Sequence, residues 1–279
     1  MTRLVSEDIQ PINSRLKRYD DELVKKTGRT LWGIACYSNG IDDEALLQGH
    51  LERVTVGVVP IKSGLGIIPG FSETVRQMIH HLGFHVFVTN QSDVAGIAEA
   101  VERRADILFM ADDERFIALN IRKGIVVDNS ECTARGFVAA LDLMNNGING
   151  ANVLVLGCGP VGYQAVMEVL RRDGRVSVYD IDSKKSLRLK DRIGEVMRCT
   201  PAIEPTLAQA LSNHDLIIEA TNASGVIDEE HITCQTRVAA PGMPLGLTPR
   251  AVEKIGDRLV HDPLQIGVAV MAVNALTTI

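Results

Sequence analysis

The chain has 279 residues, 46% of them apolar and 23% charged, with aromatics at 4%. That is enough for one large domain or two ordinary ones with a core of Val, Ile, Leu and Ala. The formal charge of −6 is carried without any concentrated basic face, which excludes a phosphate-backbone partner. Cys36, Cys132, Cys158, Cys199 and Cys234 are scattered and form no CxxC pair, so reduced thiols are expected rather than disulfides or a metal site. The histidines show no metal-like or triad-like spacing. Residues 1–12 lack the apolar core of a secretory signal, and no run reaches the length of a membrane span. A cytoplasmic protein without nucleic-acid or membrane partners is expected.

In chain order, the first predicted helix covers about residues 11–26. Ile12, Leu16, Tyr19 and Leu23 fall on one face and Gly28 is the stop. A second helix is predicted near 42–53. Three short apolar runs follow at 54–59, 85–89 and 106–110, separated by helices at 72–82, opened by Ser72 and closed by Gly83, and at 93–104. Strand alternating with helix predicts a parallel sheet. A helix at 133–145 leads into the turn cluster 145–150, taken as the domain boundary. Beyond it, strands are expected at 152–156, 175–179, 215–219, 237–240 and 257–260. The expected fold class is α/β. A small N-terminal α/β domain (1–148) precedes a doubly wound Rossmann domain (149–262), and a last helix (263–279) packs back on the first domain.

The strongest local signal is Val153-Leu-Val-Leu156 running into Gly157-Cys158-Gly159-Pro160-Val161-Gly162 and a helix. A GxGxxG alone is weak, but here a strand precedes it, a helix follows it, and Asp180 ends the next strand 21 residues beyond Gly159. Gly157 would permit the tight turn, Gly159 the approach of a pyrophosphate, and Gly162 the packing of helix on strand. Asp180 would accept the ribose hydroxyls and repel a 2′-phosphate, favouring NAD. The alternative is that it merely caps the helix after residue 182. Thr221 and Pro241, at later strand ends, would line the nicotinamide side, unless those loops are ordinary strand-to-helix turns.

The first domain carries Val59-Pro-Ile-Lys-Ser-Gly-Leu-Gly-Ile-Ile-Pro-Gly-Phe-Ser72, rich in backbone and hydroxyl donors, and Met110-Ala-Asp-Asp-Glu-Arg115. Paired carboxylates after a strand can hold an ammonium and accept a proton as an amine is oxidised. The plainer reading makes them a helix cap.

These two elements, with Gly70-Phe-Ser-Glu73, the glycine fingerprint and Asp262-Pro-Leu-Gln-Ile-Gly267, resemble the methylornithyl-lysine dehydrogenase (pyrrolysine synthase) family of pyrrolysine biosynthesis. The resemblance runs in order from about residue 54 to the end. It implies NAD-dependent oxidation of the terminal amine of 3-methylornithyl-N6-lysine, followed by closure of the pyrroline ring of pyrrolysine. It also implies acid/base work for Asp113, an ammonium contact for Asp112, and substrate contacts for Leu4, Ser63, Ser72 and Asn129. Asp262 would face the nicotinamide where the family has Glu. Gln265 stands for a small residue and Lys62 for a small hydroxyl, Lys62 being either a substrate-carboxylate contact or a solvated lysine. These departures leave open another small substrate for a related amine, amino-acid or shikimate-type dehydrogenase, and a non-catalytic NAD sensor is a further alternative. A small-molecule partner and no metal are expected. The oligomeric state stays open, a homodimer among the options.

Overall fold

The structure, a computed structural model, describes residues 9, 12, 15–49 and 51–277, so Leu4 lies outside the described residues. Helix α1 (Leu16–Thr27) buries Leu16 and Leu23 and ends at Gly28, whose φ of 76° needs no side chain. Helix α2 (Leu31–Ser38) was not foreseen. Its sequence, LWGIACYS, is buried on nearly every side, so it has no polar face to give a helical period. Conversely, the helix expected over 42–53 shrinks to α3 (Glu44–Gln48) and a 3₁₀ turn at Leu51–Arg53.

The alternation then appears as β1 (Thr55–Val59), α4 (Phe71–His81), β2 (His85–Val88), α5 (Asp93–Glu102) and β3 (Ile107–Ala111). Ser72 does not cap α4; Gly70, at φ 82°, occupies the cap position without a side chain. Two further strands, β4 (Phe116–Asn120) and β5 (Ile125–Asp128), were also missed. They pair antiparallel, giving the order β2-β1-β3-β4-β5 in which only β1–β3 are parallel. Helix α6 (Asn129–Met144) begins four residues before the expected start, because the Asp128 carboxylate accepts a hydrogen bond from the Ser130 N–H (2.9 Å).

The second sheet is built from β6 (Asn152–Leu156), β7 (Arg175–Tyr179), β8 (Ala202–Ile203), β9 (Leu216–Glu219), β10 (Arg237–Ala240) and β11 (Leu259–His261). Its order is β11-β10-β9-β6-β7-β8, parallel throughout. The winding direction reverses between β6 and β9, and ligands of such sheets bind at the carboxyl ends of the strands flanking that point. Helices α7 (Pro160–Arg171), α8 (Ser183–Val196), α9 (Leu207–Asn213) and α10 (Pro249–Ile255) complete this layer. The last helix, α11 (Gln265–Thr277), packs against α6, α2, α4, β4 and β5. Among the described residues no helix is long and apolar enough to cross a membrane.

Helices α6 and α11 touch through reciprocal glycines. A Cβ on Gly136 would lie 2.3 Å from Ile266 Cγ2, and one on Gly267 would lie 2.5 Å from Thr133 Oγ1. Gly136→Ala is therefore expected to lower stability by about 1–3 kcal/mol through overpacking, despite the better helix propensity of Ala. An unchanged denaturant midpoint would show that the helices do not need this approach.

Candidate active site

A cleft of about 700 Å³ opens between the two sheets, over the carboxyl ends of β6 and β9. On its second-domain side the three fingerprint glycines serve three different physical needs. Gly157 has φ 90°, and a Cβ there would lie 2.6 Å from the Ala220 carbonyl oxygen. A Cβ on Gly162 would lie 1.9 Å from the Gly157 carbonyl oxygen, so α7 rests directly on the loop. Around Gly159 no atom lies within 4 Å of a built Cβ, leaving open space above the backbone. Pro160 starts α7, where its missing N–H costs nothing, and the remaining first-turn N–H groups are available to an anion. Open space at Gly159 beside a helix N-terminus fits the pyrophosphate of a dinucleotide.

Asp180 ties this loop to the next turn. Its Oδ2 accepts from the Cys158 N–H (2.8 Å) and its Oδ1 from the Asp182 N–H (2.9 Å). The cap of α8 is Asp182, which accepts from the Lys184 N–H (3.1 Å), so Asp180 is not the helix cap. It lines the cleft beside Ile181, which is 94% exposed, and Lys185. Cys158 takes part through its backbone. Its thiol meets the Ser186 hydroxyl at 3.6 Å, and burial pushes it up to about 11, far from a reactive thiolate at neutral pH.

The opposite wall comes from the first domain. The acids, for which a helix cap was the plainer of two readings, form the β3–β4 turn, since a strand and not a helix follows them. Asp112 Oδ1 accepts from the N–H groups of Glu114 (2.8 Å) and Arg115 (2.7 Å), and these bonds hold its carboxyl below the usual carboxylate range. Asp113 Oδ2 accepts from the Leu65 N–H (2.5 Å), linking the turn to the glycine-rich loop. Gly64 is obligatory at that crossing, because its φ is 71° and a Cβ would lie 2.0 Å from the same oxygen. Asn129, 5% exposed, opens α6 at the floor of the cleft, and Thr133 donates to its Oδ1 (3.4 Å).

The cleft thus brings together Ser72, Asp112, Asp113 and Asn129 with Gly157, Gly159, Pro160, Val161, Asp180, Thr221 and Pro241. Ser63 is exposed and does not line it, and the Lys62 side chain is likewise exposed outside it. Asp262 requires a correction. It is 3% exposed and lies behind the cleft, where Tyr19 donates to it (2.5 Å) and it accepts from the N–H groups of Leu264 (2.9 Å) and Ile266 (3.3 Å). Its carboxylate thus satisfies N–H groups at the start of α11, and Pro263 and Leu264 reach the cleft in its place. Burial pushes the Asp262 carboxyl and the Tyr19 phenol up. Gln265 is buried on the same rear side.

Sequence reasoning passed over Thr133, Arg115 and Glu219. Arg115 lines the cleft and pairs with Asp128 (3.1 Å), joining the acidic turn to the cap of α6. Glu219 left a readable signal, a lone charge closing the apolar strand Leu216-Ile-Ile-Glu219, but no local pattern names what it binds. Among the described residues no cluster of His, Cys, Asp and Glu is arranged to hold a metal.

Comparison with known proteins matches this architecture. The family described as pyrrolysine biosynthesis protein PylD, N-terminal domain, covers residues 8–127. The alanine dehydrogenase/PNT C-terminal domain covers residues 133–233. Pyrrolysine synthase of Methanosarcina barkeri (strain Fusaro) is 31% identical over 278 residues, 99% of this chain and 98% of that one. Pyrrolysine synthase of Methanosarcina acetivorans is 32% identical over 276 residues, 99% of this chain and 100% of that one. Among solved structures, quinate dehydrogenase from Corynebacterium glutamicum in complex with NAD aligns with a TM-score of 0.53. At 14% identity over 81% of this chain and 94% of that one, this likeness is one of fold. Full-length similarity and shared architecture together assign the chain to the pyrrolysine synthase family, enzymes of the dehydrogenase type.

Proposed function

We propose that this protein is an NAD-dependent amine dehydrogenase that oxidises the terminal amine of 3-methylornithyl-N6-lysine and lets the product close to the pyrroline ring of pyrrolysine. The observation that carries this reading is the position of Asp112 and Asp113 across one cleft from the glycine loop, in a chain with full-length similarity to two pyrrolysine synthases. In this reading residues 1–148 hold the substrate, 149–262 hold the dinucleotide, and 263–279 return to the first unit. Among the described residues no lysine of the first domain lines the cleft, so the Lys–Asp pair of an alcohol dehydrogenation finds no support there.

The chemistry follows from charge. The substrate amine arrives as an ammonium, and a carbon bearing a cation does not release hydride. Asp112, kept ionised by the Glu114 and Arg115 N–H groups, holds the cation. Asp113 accepts one ammonium proton, freeing the nitrogen lone pair. A bound nicotinamide supplies the hydride acceptor. Loss of that proton and that hydride turns the C–N bond into an iminium. The other amine of the ornithine half then adds to this carbon, ammonia leaves, and a cyclic imine remains. Ser72 and Asn129 orient the chain by hydrogen bonds from the cleft wall and floor, and Pro241 and Thr221 border the nicotinamide.

Three measurements test the reading. Asp113→Asn keeps the shape but removes basicity, so turnover with the methylornithyl-lysine substrate should fall by about 10²–10⁴-fold. NAD affinity should stay within about twofold, because the dinucleotide sits on the other domain. Near-normal NADH production by this variant would move the base elsewhere. Gly159→Ala should fold normally, since φ is −77° and the methyl enters open space, while NAD binding measured by calorimetry should collapse. Retained affinity would mean that residues 157–162 do not hold the phosphates. Finally, Asp180 should make NADP bind at least about tenfold more weakly than NAD, a difference of about 1.4 kcal/mol. Equal affinities would remove the basis for the NAD preference.

A further inference from the structure

Glu219 ends β9 at 0% exposure, and among the described residues no cation pairs with it. Its Oε1 accepts from the Thr221 N–H (2.9 Å) and the Thr221 hydroxyl (2.5 Å), and its Oε2 accepts from the Gly246 N–H (3.1 Å). Its backbone carbonyl accepts from the Gly242 N–H (2.9 Å). The loop after β10 folds around the carboxyl as closely as a backbone can. A Cβ on Gly242 would lie 2.6 Å from Glu219 Oε2, and one on Gly246 would lie 2.4 Å from its Cδ. Burying a carboxylate without a counter-charge is unfavourable, and burial pushes the Glu219 carboxyl up while the three donors pull it down. An apolar side chain of similar size would avoid that cost but would strand the donors. What the position requires is a group that only accepts.

The two loops joined in this way are both cleft walls. Thr221 and Asn222 stand on one side, and Pro241, Gly242 and Met243 on the other. We propose that Glu219 is a positioning residue that locks the loops after β9 and β10 into one wall against the nicotinamide half of the dinucleotide. The inference rests on the reading that this cleft binds NAD. The adenosine half is served by different residues, Gly157 to Gly162 and Asp180, so the two halves of the ligand can be tested separately.

Glu219→Gln is the informative change. A glutamine has one accepting and one donating end, and whichever way it turns, its NH₂ faces an N–H. One of the two side-chain anchors must then be lost, although the Gly242–Glu219 backbone bond remains. Leaving a buried donor unpaired is expected to weaken NAD binding by about tenfold in calorimetry. ADP, which lacks the nicotinamide half, should bind the variant and the native protein within about twofold of each other. An equal loss for NAD and ADP would mark Glu219 as a general structural residue and overturn the proposal, as would unchanged NAD affinity. In the native protein without ligand, the amide hydrogens of Thr221 and Gly246 should exchange slowly although both lie in loops; rapid exchange would overturn the proposal whether or not the variant folds. A native protein that binds neither NAD nor ADP would remove the dinucleotide reading itself, and this inference with it.

Discussion

The close approach of α6 and α11 is the constraint on which the rest of the molecule depends. Gly136 and Gly267 remove the side chains that would otherwise hold the two helices apart. Helix α6 is thereby packed on one side against α11, α2, β4 and β5, and on the other against α7, β9 and β10. One apolar core runs from the first sheet through these helices to one face of the second sheet. The consequence for the site is geometric. The N-terminus of α6 carries Asn129, the segment before α11 carries Pro263 and Leu264, and both arrive at the cleft. A displacement of either helix would move the first-domain floor relative to the dinucleotide edge, and transfer chemistry tolerates little such error.

Around this joint, buried acids act as connectors. Asp142 on α6 accepts from Tyr37 on α2 (2.7 Å), from Arg172 just after α7 (2.6 Å) and from the Ile148 N–H (2.8 Å). Arg172 also reaches Glu168 (2.9 Å), so the network spans both sides of the turn between the sheets. Asp262 plays the corresponding part at the start of α11, joining it to α1 through Tyr19. Such groups are costly to bury, and each is matched by donors from separate segments. Their value lies in specifying geometry: an apolar contact can slide, whereas a carboxylate with three directed donors cannot.

The two walls of the cleft differ in character accordingly. The dinucleotide side is backbone: glycines, a helix start and a cis Met243–Pro244 loop wrapped around a buried glutamate. The side built from the first sheet is charged and more exposed, with Asp112 and Asp113 on a hairpin turn pinned to the glycine-rich loop through Leu65. A uniform backbone cradle suits a cofactor shared by many enzymes, and a projecting acidic turn suits a cationic substrate that few share.

The α/β class, the parallel strands of the second sheet, the glycine loop and Asp180 were all readable in the sequence, because each depends on residues near one another in the chain. A strand, a turn of three glycines and a helix form a local unit, and its spacing survives without knowledge of the rest. The acidic pair was readable as a feature, but its setting was not: the same letters serve a helix cap or a hairpin turn, and the antiparallel partner strand decided between them. Helix α2 was hidden because burial on all sides erases amphipathic period. Asp262 looked like a cleft residue on family resemblance, yet the packing of α1 against β11 turns it inward to Tyr19. Glu219 could be seen as a charge at the end of an apolar strand, while its donors, Thr221 and Gly246, meet only when the loops of β9 and β10 fold together. The sequence by itself determined which chemical groups are available and which local turns they occupy. The tertiary structure alone decided which carboxylates face the cleft and which hold it together, because residue type sets charge and reach, whereas burial and donors come from segments far apart in the chain.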